Sequence, residues 1–121
     1  MPISENYITC REENGSIHIS EDVITSLVRS AVGEVDDVSL SQAVGAELAE
    51  FIGLKNVNRG LKVSFEGEAV IVDAVILVNY GCGIVSVARQ VQEKVISALQ
   101  STTGLEKVQV NVHVAGIVME R

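Results

Sequence analysis

Aromatic residues, prolines and cysteines are all scarce in this chain of 121 residues, and each shortage narrows what the protein can be. Aromatic residues make up 3% of the sequence and tryptophan is absent, so the hydrophobic core has to be built from aliphatic side chains, chiefly valine. The two cysteines, Cys10 and Cys82, provide neither a zinc-ligand spacing nor a disulfide framework. We therefore expect a protein of a reducing cytoplasm.

The chain also has few basic residues and no long hydrophobic run. Nine lysine and arginine residues stand against 16 aspartate and glutamate residues, which gives a net charge of −7. Binding to nucleic acid or to anionic lipid depends on clustered basic residues. No apolar run approaches the ~20 residues that cross a bilayer, and residues 1–13 lack the pattern of a signal peptide. The sequence therefore predicts no nucleic-acid partner and no direct membrane insertion.

Two segments have the pattern of an amphipathic helix. In residues 21–34, apolar side chains recur every three or four positions, and Ser20 is suited to cap the first turn. The second helix spans residues 84–103 and ends at Gly104, a residue suited to the left-handed conformation that closes many helices. The positions predicted to face inward on this helix are Ile84, Val87, Ala88, Val91, Val95, Ala98 and Leu99.

Four segments have the patterns of strands, and Ile17-His18-Ile19 is predicted to be a short strand or lead-in before the first helix. Apolar and polar residues alternate in residues 36–44, 61–66 and 108–115, as in strands with one buried face. Residues 69–80 are apolar on both faces, as in a central strand that is covered on both sides. Glu66-Gly67-Glu68 indicates a hairpin turn before that strand.

These elements predict the fold class and the domain organisation. Two amphipathic helices need a sheet face to cover, so we predict an α+β protein: a two-layer α/β sandwich with a mixed, largely antiparallel sheet and both main helices on one face. Residues 1–14 are polar and are predicted to be a flexible N-terminal segment, mobile or at an edge. A single domain is predicted over residues 15–121, with Leu48–Leu54 as a short helical segment.

A glycine-rich turn between the central strand and the second helix resembles a phosphate-binding loop. Gly81-Cys82-Gly83 could present backbone N–H groups to an anion at the helix start. The dinucleotide fingerprint needs a third glycine at position 86, which is Ser86, and the Gly-Lys-Ser/Thr ending of nucleotide hydrolases is absent. We interpret Gly81, Cys82 and Gly83 as a structural turn that uses the conformational freedom of glycine.

Candidate catalytic and metal-binding residues are few. Cys82 lies at a helix start, which favours the thiolate form. A nucleophile also needs a base beside it, and nothing in the sequence places His18 or His113, the only two histidines, next to Cys82. Two histidines without a paired ligand motif do not make a metal site. We predict no catalytic residue, no metal and no cofactor.

The second face of the central strand is the candidate interaction surface. This face carries three apolar side chains and one carboxylate, the predicted interface residues Ile71, Asp73, Val75 and Leu77. A buried carboxylate needs a hydrogen-bonded or ionic partner, for which Lys62, Arg59 and a contact with another subunit are the candidates. The segment Leu48–Leu54 is the competing cover for the same face.

Several spaced motifs resemble those of one known family. The motifs are Gly15-Ser16-Ile17-His18-Ile19-Ser20, Gly60-Leu61-Lys62-Val63, Val78-Asn79-Tyr80-Gly81-Cys82-Gly83-Ile84, Thr103-Gly104-Leu105 and Val108-Gln109-Val110-Asn111-Val112-His113-Val114-Ala115-Gly116-Ile117. Over about residues 15–118 the chain resembles the alkaline shock protein 23 family, also called the envelope stress response family of Gram-positive bacteria.

The resemblance implies a small, cytoplasmic, non-enzymatic protein linked to cell-envelope and alkaline stress. It implies protein partners, because some members self-associate and some gather at the membrane through a separate membrane-anchored relative. The family offers no catalytic residues to carry over. We therefore expect an interaction or scaffold protein of the cell envelope. Because other members are linked to the control of fatty-acid synthesis, the alternative is a small-ligand-binding regulator that uses the turn at Gly81–Gly83.

Overall fold

A computed structural model describes residues 7–40 and 60–119 of the chain. The strands and helices follow one another as β1 (Tyr7–Glu12), β2 (Gly15–Ser20), α1 (Glu21–Gly33), β3 (Val38–Leu40), β4 (Leu61–Glu66), β5 (Ala69–Asn79), α2 (Ile84–Thr103) and β6 (Val108–Val118). The segment Leu48–Leu54, for which the sequence predicts a short helix, lies outside the described residues.

Strand β5 is the centre of a mixed sheet. β6 lies parallel to β5 along nearly its whole length on one side. On the other side, β4 pairs antiparallel with the first half of β5 and β3 with the second half. β1 and β2 form a separate antiparallel hairpin. The predicted α+β class, with a mixed, largely antiparallel sheet, is therefore confirmed.

The connections follow from the pairing geometry. Two antiparallel strands can be joined by a two-residue turn, and Gly67 and Glu68 make that turn between β4 and β5, with Gly67 at a φ of 61°. Two parallel strands need a crossover of a dozen or more residues. The 20-residue helix α2 makes this crossover from β5 to β6.

Both helices pack on one face of the sheet and form the core with it. On β5 this face consists of alternate residues with no exposed surface: Val70, Val72, Ala74, Ile76 and Val78. Helix α1 contributes Ile24, Val28, Ala31 and Val32, and α2 contributes Val87, Val91, Val95 and Leu99. The predicted inward stripe of α2 is confirmed in its central turns. The prediction that Ile84 faces inward is wrong. Ile84 lies in the first turn of α2, at the end of the sheet, and is 40% exposed.

The predicted helix ends are confirmed. The Ser20 hydroxyl accepts a hydrogen bond from the Val23 backbone N–H at 3.4 Å, which satisfies one of the free donors of the first turn of α1. Gly104 closes α2 in the left-handed conformation, with φ at 78°, and its N–H donates to the Gln100 carbonyl at 3.0 Å. A non-glycine residue would be strained there.

The N-terminal hairpin is a finding that the sequence pattern did not predict. Within residues 1–14, for which we predicted a flexible segment, Tyr7–Glu12 form strand β1 and pair with β2. Ile8 is buried and belongs to the core. Strands are recognised in a sequence by alternating apolar and polar residues. The polar residues of β1 interrupt this alternation, so the sequence does not indicate a strand there.

Strand β6 is longer than predicted. The sequence alternation ends near residue 115, whereas the strand continues to Val118 across a β-bulge. The bulge shifts the register between the pairs Ile76–Val114 and Leu77–Gly116. An extra residue in one strand reverses the alternation, so the period-2 pattern breaks although the strand does not.

We predict that Val91→Asp abolishes cooperative unfolding. Val91 is completely buried at the middle of α2, and an unpaired buried charge costs several kcal/mol against a total stability of roughly 5–15 kcal/mol. Thermal and urea melts followed by circular dichroism would measure the loss. The matched control is Gln90→Asp on the exposed side of the same turn, which should melt within about 0.5 kcal/mol of the wild type. Equal melts of the two variants would contradict this assignment of the core.

Candidate functional site

The turn between β5 and α2 is shaped by its glycines. Gly81 has a φ of 97°, a conformation that favours glycine. The Cys82 N–H donates to the Asn79 carbonyl at 3.3 Å, and the Gly83 carbonyl accepts the first helical hydrogen bond of α2, from the Val87 N–H at 2.9 Å. The Cys82 side chain is half-buried and packs against the core. Each of the three turn residues therefore has a structural role in connecting β5 to α2.

A cavity of about 600 Å³ lies at the opposite end of the sheet. Its wall comes from β1, the β4–β5 turn and the connection from α2 to β6, and includes Ile8, Phe65 and Leu105 as apolar residues. Arg11, Glu68, Glu106 and Lys107 give it charges of both signs. No residue of the Gly81–Gly83 turn lines this cavity, so it lends no support to a ligand at the turn.

The two histidines belong to different sheets. His18 lies in β2, where its Nδ1 is 3.0 Å from the Thr9 hydroxyl across the hairpin. His113 lies in β6, where its Nε2 is 3.6 Å from Asp73 Oδ1. Across residues 7–40 and 60–119, no three His, Cys, Asp or Glu side chains come together in a way that could hold a metal ion.

Asp73 lies on the face of the sheet that points away from the helices, which we call the outer face. It is defined by Ile71, Asp73, Val75 and Leu77 of β5 together with Asn111 and His113 of β6. Asp73 is 7% exposed, and the Asn111 side-chain amide donates a hydrogen bond to its Oδ1 at 3.0 Å. That bond supplies the partner which a buried carboxylate requires.

The partner of Asp73 differs from the two basic residues named from the sequence. Lys62 is directly opposite Asp73 in the β4–β5 register, yet the side chain that faces the Asp73 carboxylate in the described residues is His113, with its Nε2 at 3.6 Å. Arg59 lies outside the described residues. The parallel register of β5 and β6 places Asn111 beside Asp73. That pairing depends on the strand order, which local sequence patterns do not contain.

His113 has an incomplete set of contacts on the outer face. Its Nε2 is buried and makes no hydrogen bond, since 3.6 Å to the Asp73 carboxylate exceeds hydrogen-bond distance. A proton on Nε2 faces the carboxylate favourably, whereas a lone pair in that position is repelled. The site chemistry therefore favours the tautomer with the proton on Nε2.

The four predicted interface residues are not equally accessible. Val75 is completely buried and Asp73 nearly so, and neither belongs to the core cluster under the helices. Ile71 and Leu77 are half-buried. The Leu77 side chain lies over Gly116 of β6, so close that a Cβ on Gly116 would be 3.1 Å from Leu77 Cδ2. Only Ile71 and Leu77 therefore offer substantial surface to a partner.

A cluster of exposed apolar residues lies where β5 and β6 end and α2 begins. We call it the apical patch and define it as Tyr80, Ile84, Val85, Ile117 and Met119. The parallel strands finish together, as shown by the Tyr80 N–H donating to the Val118 carbonyl at 2.9 Å. Tyr80, Val85 and Met119 are 70%, 67% and 66% exposed. The sequence pattern missed this patch because it placed Ile84 in the core and ended β6 before Ile117.

No helix in the described part of the chain is both long and apolar enough to cross a membrane. Each helix buries one apolar face against the sheet, while Val23 of α1 and Ile84 and Val85 of α2 stay exposed. Among residues 7–40 and 60–119, the exposed large apolar side chains are those of the apical patch, together with Ile17, Val23 and Val114.

Comparison with known proteins gives a consistent result over almost the whole chain. Residues 9–119 match the model of the alkaline shock protein 23 family, which is described as having a cell envelope-related function. The chain is 36% identical over 114 residues to the uncharacterized protein YloU of Bacillus subtilis, covering 91% of this chain and 94% of that protein.

Two further relatives agree with that match. The uncharacterized protein YqhY of Bacillus subtilis is 31% identical over 104 residues, covering 85% of this chain and 77% of YqhY. The uncharacterized protein Spy1614 of Streptococcus pyogenes is 29% identical over 108 residues, covering 87% and 89% of the two chains. No solved structure matches the chain. The family match and these relatives show that the chain belongs to the alkaline shock protein 23 family.

Proposed function

We propose that this chain is a non-enzymatic interaction protein of the cell envelope and that it binds a protein partner through the apical patch. The observation that carries the proposal is the concentration of exposed large apolar side chains at one end of the sheet. Soluble proteins seldom leave such a group uncovered unless it is an interaction surface. The cell envelope-related function of the family supports a role for this chain at the cell envelope.

The chemistry around the patch favours a protein partner with a basic rim. The chain has a net charge of −7. Asp37 is next to the patch, because the Asn79 side chain donates to its carboxylate at 3.3 Å, and Asp36 is its chain neighbour. An apolar surface surrounded by lysine or arginine complements this arrangement. Anionic lipid does not, since it is repelled by acidic side chains.

The positions of the reactive side chains support a function without catalysis. Cys82 packs against the core, His18 contacts Thr9, and His113 faces Asp73 on the outer face. A nucleophile needs a base within hydrogen-bond reach, and these three residues sit in three different parts of the fold. We therefore propose a scaffold role in the cytoplasm, with recruitment to the membrane through a membrane-anchored partner.

Site-specific photocrosslinking in cells tests the apical patch. We expect a photoreactive residue at Val85 to crosslink to one discrete partner that fractionates with membranes, because Val85 belongs to the patch and is 67% exposed. The matched control is the same residue at Gln90, which is exposed on α2 but outside the patch. The crosslink should disappear when Ile117→Asp is added. Equal crosslinking at both positions, or none at Val85, would rule out this surface.

The same experiment examines the outer face. A photoreactive residue at Leu77 reports on a partner that contacts the half-buried residues Ile71 and Leu77. A crosslink at position 77 with none at position 85 would move the interface from the apical patch to the outer face and so support the interface predicted from the sequence.

We predict that the purified chain does not bind anionic membranes by itself. The net charge of −7 repels anionic lipid, and α1 and α2 bury their apolar sides in the core. In a flotation gradient with phosphatidylglycerol vesicles, the protein should remain in the bottom fraction at physiological salt. Co-migration with vesicles in the absence of any other protein would overturn the proposed role of a partner in recruitment.

We also predict that Cys82→Ser preserves both fold and function. The half-buried thiol contributes to packing, so the substitution should cost about 1 kcal/mol or less in a thermal melt. Growth of cells under envelope stress should match the wild type. The comparison variant is Val85→Asp, which should fold normally but behave like a gene deletion. If Cys82→Ser instead behaves like a deletion while its melt is unchanged, a catalytic role for the thiol becomes the better explanation.

A further inference from the structure

Strand β6 forms one edge of the main sheet. It pairs with β5 on one side along Val108–Val118. Among the described helices and strands, only β5 and α2 make substantial contact with β6, and α2 packs on its face. The side of β6 away from β5 is therefore an open strand edge along the part of the chain that the structure describes.

The direction of the backbone groups along this edge follows from the register. The Val70 N–H donates to the Lys107 carbonyl at 2.9 Å. Successive residues of a strand in a parallel pair direct their N–H and C=O groups alternately toward and away from the neighbouring strand. The odd-numbered residues from 107 to 113 therefore bond toward β5. The residues whose backbone groups point outward are Val108, Val110, Val112 and Val114.

One side chain confirms this orientation. The Gln92 amide on α2 donates a hydrogen bond to the Val110 carbonyl at 3.0 Å. That carbonyl is one of the outward-pointing groups, and it keeps a second lone pair for another donor. The remaining outward N–H and C=O groups offer hydrogen bonds that an added strand would satisfy.

Over residues 108–114, β6 lacks the features that usually protect an edge strand. Natural edge strands carry charged residues, especially lysine, or proline, or they are short or bulged. From Val108 to Val118 there are eleven residues, none charged and none proline. The bulge after Val114 is the only interruption, and it leaves the seven residues 108–114 in one uniform phase.

We propose that β6 pairs antiparallel with β6 of a second copy of this chain, which extends the sheet across a two-fold axis. A charge-free strand lets two chains of net charge −7 meet without placing like charges opposite each other. A two-fold contact is self-complementary, and it is the commonest way for identical chains to associate. This contact uses the sheet edge and leaves the apical patch free, so it stands apart from the proposed partner site.

The uniform segment selects one register. An antiparallel pair requires residues with outward backbone groups to lie opposite one another. Within residues 108–114, all four outward residues find partners only when the two-fold axis passes beside Asn111. Val108 is then opposite Val114 of the second copy, and Val110 is opposite Val112. On the outer face, Gln109 is opposite His113.

Cysteine pairing tests the register in the full-length chain. In a Cys10→Ser, Cys82→Ser background, one protein carries Gln109→Cys and the other carries His113→Cys. Directly opposite residues of this type have Cα atoms ~4.5 Å apart, which is within disulfide range. Mild oxidation of the mixture should link one chain of each kind. Each variant alone should stay unlinked, because its two cysteines are four residues apart along the strands, roughly 14 Å.

Sedimentation provides the independent measurement. The wild type should sediment as a dimer at high concentration. Val114→Pro should sediment as a monomer and keep its melting transition, because proline removes only an outward N–H, which an edge strand tolerates. Val85→Asp in the apical patch should remain a dimer, so the two proposals are decided separately. A monomeric wild type, a dimeric Val114→Pro, or linkage of either cysteine variant alone would overturn the pairing of β6.

Discussion

The burial of one row of side chains on β5 is the constraint on which the rest of the molecule depends. Val70, Val72, Ala74, Ile76 and Val78 have no exposed surface. A fully buried valine or isoleucine contributes roughly 1.5–3 kcal/mol, so this one row is comparable with the total stability of a small domain, roughly 5–15 kcal/mol. To remove the row from water, the chain needs strands on both sides of β5 and two helices over it.

The opposite face of β5 helps to fix the register in which β6 pairs with β5. Asp73 is buried there and bonded to Asn111 of β6. If β6 slipped by one residue, a valine would take the place of Asn111 and the carboxylate would be left without its donor. Because side chains alternate between faces, the same slip would also turn the core valines of β6 outward. The Asp73–Asn111 bond and the core therefore favour the same pairing.

The exposed surfaces are consequences of the crossover from β5 to β6. A parallel neighbour runs in the same direction, so β5 and β6 finish at the same end of the sheet, where α2 also begins. This brings Tyr80, Val85 and Ile117 together into the apical patch. The crossover also places β6 beside β5 with one side unpaired among the described residues. Connectivity alone thus creates both an apolar end and an open edge, the two surfaces for which we propose partners.

Features that depend on neighbouring residues were predictable from the sequence. The two helices, the Ser20 and Gly104 caps and the β4–β5 turn were all predicted and are present in the structure. Each is decided within a few residues, by a capping hydroxyl, by a positive φ or by an apolar period. The central position of β5 was also predictable, because apolar residues on both of its faces leave few other places for it.

Other features were decided by the tertiary structure alone. The hairpin partner of β2, the bulge in β6, the Asn111 partner of Asp73 and the exposure of Ile84 all depend on which strands become neighbours and where the sheet ends. Asp73 and Asn111 are 38 residues apart in the chain, and an apolar period has the same form at the centre of a helix as at its first turn. The sequence by itself determined the elements and the face that each buries, because local hydrogen bonding and periodicity act over short distances. Tertiary structure decided their partners and their exposed ends, because pairing depends on the relative positions of whole elements.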